Sequence, residues 1–255
     1  MKIVILAGGM GTRLSEYTHK IPKPLVDIGN VPILVHLINC FCKYGHNDFI
    51  VALGYKGELI KQYFYEHSSL YNKDTIVDLN SQILELYIPS LESTVTLVDT
   101  GEHSMTGGRL KRLTNLLQNE TFMLTYGDGL SDINLDKLIN SHFTSKKLVT
   151  VTAVHPVARF GELTINSEGL VTSFKEKPQV TEGWINGGFF VMEPNFIEYI
   201  NNDFTVLEKE PLERAANELQ LNAYKHEGFW QCMDTQRDKE SFEEMIKLGN
   251  PPWIN

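Results

Sequence analysis

The 255-residue chain has little cysteine, no long apolar run and no excess of positive charge. Each absence excludes a class of protein. Three cysteines, an odd number without framework spacing, cannot form a disulfide scaffold and suit a reducing compartment. A membrane-spanning helix needs about 20 consecutive apolar residues. The opening run Ile3-Val4-Ile5-Leu6-Ala7 stops at glycines, which fits a buried strand rather than a signal segment. Lysine and arginine total 23 against 32 aspartate and glutamate, a net charge of −9. That field repels a nucleic-acid backbone, although a few converging cations can still hold a small anion. No stretch rich in proline, glycine and serine marks a linker, and no segment repeats. The expectation is a cytoplasmic single-domain protein over 1–255, with no nucleic-acid and no membrane partner. At 42% hydrophobic residues it can build an ordinary core without a stapling metal.

What is present alternates strand with helix. Residues 3–7, 48–53, 94–99, 121–125, 149–154 and 185–192 read as strands. Residues 32–44, 58–66, 135–145, 208–218 and 239–248 read as helices, and 161–174 as a hairpin. The alternation predicts an α/β fold with a mainly parallel sheet and helices on its faces. Residues 68–93 give no clear pattern.

Between the first strand and the next expected helix stands Leu6-Ala7-Gly8-Gly9-Met10-Gly11-Thr12-Arg13-Leu14. Glycines let backbone approach a ligand closely. A helix start offers free N–H groups to phosphate, and Arg13 adds a two-pronged donor. This is neither the dinucleotide fingerprint nor a Walker loop, because Leu14 stands where a glycine would and no Gly-Lys-Ser/Thr follows. Ile21-Pro22-Lys23-Pro24 follows, with prolines stiffening the chain around Lys23. Further on, Tyr126-Gly127-Asp128-Gly129 sits at a strand's end, where open α/β sheets bind ligands. Asp128 is open to two readings, a metal ligand or a plain Asp-Gly turn. Asp234, in Phe229-Trp230-Gln231-Cys232-Met233-Asp234-Thr235, is either a metal ligand or a helix cap, a role that Thr235 and Asp238 can also fill.

The glycine loop with Arg13, followed by Pro-Lys-Pro, resembles the signature of the sugar nucleotidyltransferases. The stretches 96–101, 105–112, 185–191 and 229–235 and the closing Pro252-Trp253 resemble the glucose-1-phosphate cytidylyltransferase group of that family, and the resemblance runs along almost the whole chain. The resemblance implies a Rossmann-like sheet of the nucleotide-diphospho-sugar transferase type. Its nucleotide part would span about 1–130 and its sugar-phosphate part about 131–255. It implies cytidylyl transfer from CTP to glucose 1-phosphate, with Mg²⁺ on Asp128 and Asp234, in a homo-oligomer. Arg13, Lys23 and Asp128 would carry the chemistry. Leu6, Ala7, Gly8, Gly9, Gly11, Thr12, Ser104, Thr106, Arg109 and Gly127 would join Arg13 and Lys23 around the nucleotide. Ser104 and Thr106 would read the pyrimidine edge, with Arg109 on phosphate. Gly161, Glu162, Glu176, Lys177 and Asn186 would hold the sugar phosphate. Uridylyl or thymidylyl transfer, or another phosphorylated acceptor, remain alternatives, because a side chain or two can switch pyrimidine choice. A non-catalytic sugar-nucleotide sensor would lack one of the cations or acids.

Cys232 stands where the family's pattern has proline, and Trp184 precedes the Asn186-Gly187-Gly188 strand where a smaller residue is expected. His36, Cys40, Cys42 and His46 look like a metal cluster. On a helix, however, positions two apart point about 200° from each other, so these read as packing residues.

Overall fold

The computed structural model describes residues 1–71, 78–118, 120–156, 162–165, 167–175 and 183–254. Eight strands form its central sheet. Their spatial order is Leu221–His226, Val149–Val154, Ile185–Met192, Phe122–Tyr126, Ile3–Ala7, Asp48–Leu53, Ser93–Asp99 and Ile83–Ile88. Ile3–Ala7 lies parallel to both neighbours, with Ile3 opposite Phe49 on one side and Met123 on the other. Ile185–Met192 and Ile83–Ile88 run antiparallel to the strands they pair with. The sheet is therefore mixed but mainly parallel, as the alternation predicts.

Both faces are covered, which is why the central strands read as unbroken apolar runs. Ile3 and Ile5 point to one face, where Ile33–Cys42, Gly57–Glu66, Leu135–Ser145 and Gln236–Lys247 supply helical side chains such as Leu37, Phe64, Leu138 and Phe242. Val4 and Leu6 point to the other, against Leu110, Leu113, Phe196 and Ala215.

From Ile3–Ala7 the chain builds outward to Asp48–Leu53, and only later returns to lay Phe122–Tyr126 on the opposite side. That reversal leaves a crevice above the C-terminal ends of the two adjacent strands. The Gly8 loop and the Gly127-Asp128 turn both open into it, and Gly127 N–H donates to the Leu6 carbonyl at 3.0 Å.

The structure differs from the sequence reading in several elements. The glycine loop leads not into a long helix but into one 3₁₀ turn, Thr12–Leu14, and one helical turn, Ser15–Thr18. Gly11 carries the reversal at φ 62°, where a Cβ would stand 2.8 Å from Thr18 Cγ2. Leu221–His226 is an unforeseen edge strand, parallel to Val149–Val154. Within 68–93, Ile83–Ile88 forms the other edge, burying Leu86 and Ile88 while Ile83 and Tyr87 face out. The 161–174 hairpin is present as Glu162–Ile165 against Val171–Lys175.

Candidate active site

A short antiparallel ladder decides how the two acids meet. Gly129–Ser131 pairs with Trp230–Cys232, placing Gly129 opposite Cys232. One residue beyond, the Met233 N–H donates to the Asp128 carbonyl at 2.9 Å. Asp128 and Asp234 therefore stand side by side at the crevice. Thr235 and Asp238 form a reciprocal capping box at the start of Gln236–Lys247. The cap is taken by Thr235, so the Asp234 carboxylate is left to face the cavity.

Lys23 reaches the same point from the proline-braced segment. Pro22 is extended, Lys23–Leu25 forms a 3₁₀ turn, and the lysine is buried. Its Nζ donates to Asp128 Oδ2 and to Asp234 Oδ1, each at 2.7 Å. Arg13 Nη1 lies 2.7 Å from Asp234 Oδ2, with its side chain 70% exposed. An ion pair so open to water contributes little stability, which leaves Arg13 available to a ligand. Burial pulls the Lys23 ammonium down, but Asp128 and Asp234 outweigh it and hold its pKa above the ordinary lysine value. Burial pushes the Asp234 carboxyl up, and Lys23 and Arg13 more than reverse this, leaving it below the ordinary range. Beside them, burial and then the Asp234 and Asp128 charges push the Cys232 thiol up to about 12, so it stays protonated and unreactive at neutral pH.

These groups line one cavity of about 610 Å³. Leu6, Ala7, Gly8, Gly9, Gly11 and Thr12 form its floor and rim, with Gly127 at the strand end. A Cβ on Gly9 would meet nothing within 4 Å, so that stretch of backbone is open to a ligand. Ser104, Thr106 and Asn186 also line the cavity. Ser104 gives its hydroxyl proton to the Thr100 carbonyl, and Thr106 gives its own to Glu208. Glu162 opens the hairpin strand, whereas Gly161, Glu176 and Lys177 lie outside the described residues.

Arg109 also lines the cavity, and both terminal nitrogens of its guanidinium are held by the chain itself. Nη1 donates to the Leu53 carbonyl, the Gly101 carbonyl and Thr100 Oγ1, and Nη2 to the Gly8 and Glu102 carbonyls, at 2.7–3.1 Å. The residue is 4% exposed. A Cβ at Gly8 would stand 2.2 Å from its Cζ, and one at Gly54 2.4 Å from Nη1. Both glycines are therefore needed for the guanidinium to fit. It binds the loops that follow three parallel strands and shapes the cavity through them.

Among the cavity residues that escaped the sequence reading of the site are Tyr126, Glu208 and Trp230. Glu208 takes hydrogen bonds from Tyr126 and Thr106. Trp230 Nε1 donates to the Gly187 carbonyl at 2.6 Å. The Tyr126 and Trp230 stretches carried a sequence signal, each as part of a motif, and Glu208 carried none. The cluster set aside in the sequence is packing: His36 bonds the Ile28 carbonyl and Trp253, and Cys40 is buried against the Trp253 carbonyl. No group of three or more histidine, cysteine or acidic side chains among the described residues is arranged to hold a metal by itself. None of their helices is long and apolar enough to cross a membrane.

Residues 2–234 match the family model described as nucleotidyl transferase. The chain belongs to the nucleotidyl transferase family. It is 47% identical to glucose-1-phosphate cytidylyltransferase of Salmonella typhimurium, over 99% of this chain and 98% of that one. It is 32% identical to D-glycero-alpha-D-manno-heptose 1-phosphate guanylyltransferase of Campylobacter jejuni, over 86% of each. The crystal structure of HddC from Yersinia pseudotuberculosis complexed with GMP-PN superposes with a TM-score of 0.70 at 25% identity, covering 96% of this chain and 99% of that one.

The donor set fits a hard divalent ion held jointly with a nucleotide. Asp128 Oδ2 and Asp234 Oδ1 each lie 2.7 Å from one Nζ, so the two oxygens converge within twice that distance of each other. Mg²⁺ characteristically takes one or two carboxylates and completes its shell with water and phosphate oxygens.

Proposed function

We propose that the protein transfers the cytidylyl group of CTP to α-D-glucose 1-phosphate, releasing CDP-glucose and pyrophosphate. The observation that carries this reading is the convergence of Arg13, Lys23, Asp128 and Asp234 on one crevice beside the Gly8–Gly11 backbone. The 47% identity to a cytidylyltransferase over nearly the whole chain supports the choice of base and acceptor. Ser104 gives its proton to the Thr100 carbonyl, so it offers lone pairs to a donor on the base, such as the amino group of cytosine.

In this reading a phosphate oxygen of the acceptor attacks the α-phosphorus of CTP in line. The new P–O bond forms as the bond to the bridging oxygen breaks, and pyrophosphate carries off the electron pair. The nucleophile is already an anion, so no side chain has to remove a proton. Catalysis then consists of placement and charge neutralisation. Exposed Arg13 turns from Asp234 to the departing pyrophosphate, and Lys23 neutralises the α-phosphate. Asp128 and Asp234 would hold Mg²⁺, which when bound supplies a positive charge to the reacting phosphates. The Gly8 and Gly9 backbone lets the nucleotide lie close above the sheet. Gly161, Glu162, Glu176, Lys177 and Asn186 would receive the sugar phosphate.

The test is pyrophosphate release with glucose 1-phosphate and Mg²⁺, offering CTP, UTP, dTTP, ATP and GTP separately. Selective release with CTP, and CDP-glucose by mass, is the expected result. Release with another nucleotide moves the specificity and keeps the mechanism. Asp128→Asn is expected to fold normally and lose turnover by orders of magnitude, and near-normal turnover at limiting Mg²⁺ would overturn the metal assignment.

A further inference from the structure

Resting on that reading, we infer that Glu208 is a specificity-determining residue that reads hydroxyl groups on the hexose ring of the acceptor. Glu208 lies in the loop just before the helix Glu210–Asn217 and lines the cavity, partly exposed to it. It is clamped from two sides. Oε1 accepts from the Tyr126 hydroxyl, and Oε2 accepts from Thr106 Oγ1 at 2.7 Å. The Leu207 N–H in turn donates to Thr106 Oγ1 at 2.9 Å, fixing the loop that carries the carboxylate. A carboxylate has about four acceptor sites, and the two protein hydroxyls use two of them. The remaining lone pairs belong to a rigid anion on the wall of a substrate cavity, where they call for hydrogen-bond donors.

Phosphate cannot be that ligand, because it brings negative charge and no donor. The cations that suit phosphate, Arg13 and Lys23, are gathered instead around Asp128 and Asp234. The surroundings of Glu208 point to the acceptor. Its partner Tyr126 also touches Asn186, whose Nδ2 is 3.5 Å from the Tyr126 hydroxyl. The Tyr126 ring packs on Gly188, where an added Cβ would come within 3.0 Å of Cδ2. Glu208, Tyr126, Asn186 and Gly188 thus form one continuous wall that reaches Ile185–Met192, with Thr106 on the other flank of the carboxylate. A hexose presents several hydroxyl donors to such a wall. A fixed anion rewards hydroxyls that stand in the right place and rejects an acceptor that lacks them, since the carboxylate's lone pairs are then left dry.

Glu208→Gln keeps the shape and removes the charge. With CTP saturating, kcat/KM for glucose 1-phosphate is expected to fall about ten- to hundredfold, the range for losing a hydrogen bond to a charged group. KM for CTP should stay near wild type. The deciding comparison uses 2-, 3-, 4- and 6-deoxyglucose 1-phosphates. At least one should be a much poorer substrate than glucose 1-phosphate for the wild type, and this penalty should largely disappear in Glu208→Gln. Tyr126→Phe, which frees one oxygen of the clamp, should shrink the same penalty in part. A rise in KM for CTP with the sugar unaffected would assign Glu208 to the nucleotide and overturn the inference. An equal loss with all the deoxy sugars would reduce it to a structural residue. A wild type that makes no CDP-glucose at all would sink the underlying reading instead, before any variant is compared.

Discussion

Arg109→Lys keeps a positive charge beneath the Gly8 loop and removes the fork that spreads it. In the folded chain one arm of the guanidinium serves Leu53, Thr100 and Gly101, and the other serves Gly8 and Glu102. Lysine has a single nitrogen with three donors, so it can satisfy one side of this cluster but not both. The Gly8 and Leu53 carbonyls keep other donors, the Tyr55 N–H and Thr100. The Gly101 and Glu102 carbonyls depend more heavily on the arginine. Loss of one or two hydrogen bonds to a charged group, at about 1.5–3 kcal/mol each, gives an expected cost of about 3 kcal/mol. For a chain of this length that lowers the melting temperature by about 6–12 °C. Thermal unfolding followed by circular dichroism, in the absence of nucleotide, reads the effect directly. KM for CTP should rise as well, because the Gly8 backbone loses its support. The result that would refute the reasoning is a melting temperature within about 2 °C of wild type together with a raised KM for CTP. That pattern belongs to a phosphate ligand on a loop that stands without it.

Lys23→Met leaves Asp128 and Asp234 facing each other without their shared ammonium. Calorimetric titration of the nucleotide-free variant should show Mg²⁺ binding about tenfold or more tighter than in wild type, since ion and ammonium compete for the same oxygens. Unchanged binding would mean these carboxylates are not the ion's ligands. The same variant tests the electrostatics through pH. The Asp234 contribution is present above the ordinary aspartate value of 3.8 and is lost as pH falls through its lowered folded value. The Lys23 contribution is complete below 10.5 and is lost as pH rises through its raised folded value. The stability gap between wild type and Lys23→Met should therefore stay flat from about pH 5 to 9 and narrow on either side; a slope inside that window would contradict both directions. Thr235→Ala removes half of the capping box and should cost about 1 kcal/mol in denaturant unfolding. Asp238 Oδ2 also holds the Asp234 N–H, so the Mg²⁺ concentration needed for half-maximal activity should rise with it.

Much of the fold was legible because its central elements carry their pattern locally. The strands Asp48–Leu53, Val149–Val154 and Ile185–Met192 and the helix Leu135–Ser145 have the bounds expected from the sequence. Leu221–His226 was not legible: it is a half-buried edge strand whose Leu-Asn-Ala-Tyr-Lys-His gives no clean alternation. The site divides along the same line. The Gly8 loop, Lys23 between prolines and Asp128 at a strand end are local features with local physical reasons. The pairing of Asp128 with Asp234 is not, because it rests on a three-residue ladder between distant segments. Arg109 shows the harder limit. Most of its partners are backbone carbonyls, which every residue owns, so no motif can announce them. A sequence displays a buried cation without displaying whom it serves. From sequence a buried arginine beside a glycine loop is credited to the ligand, whereas in the fold the chain also holds both of its terminal nitrogens. The converse holds for Glu208, an ordinary glutamate before a helix in sequence, whose place on the cavity wall follows only from the hydroxyls of Tyr126 and Thr106 that grip it.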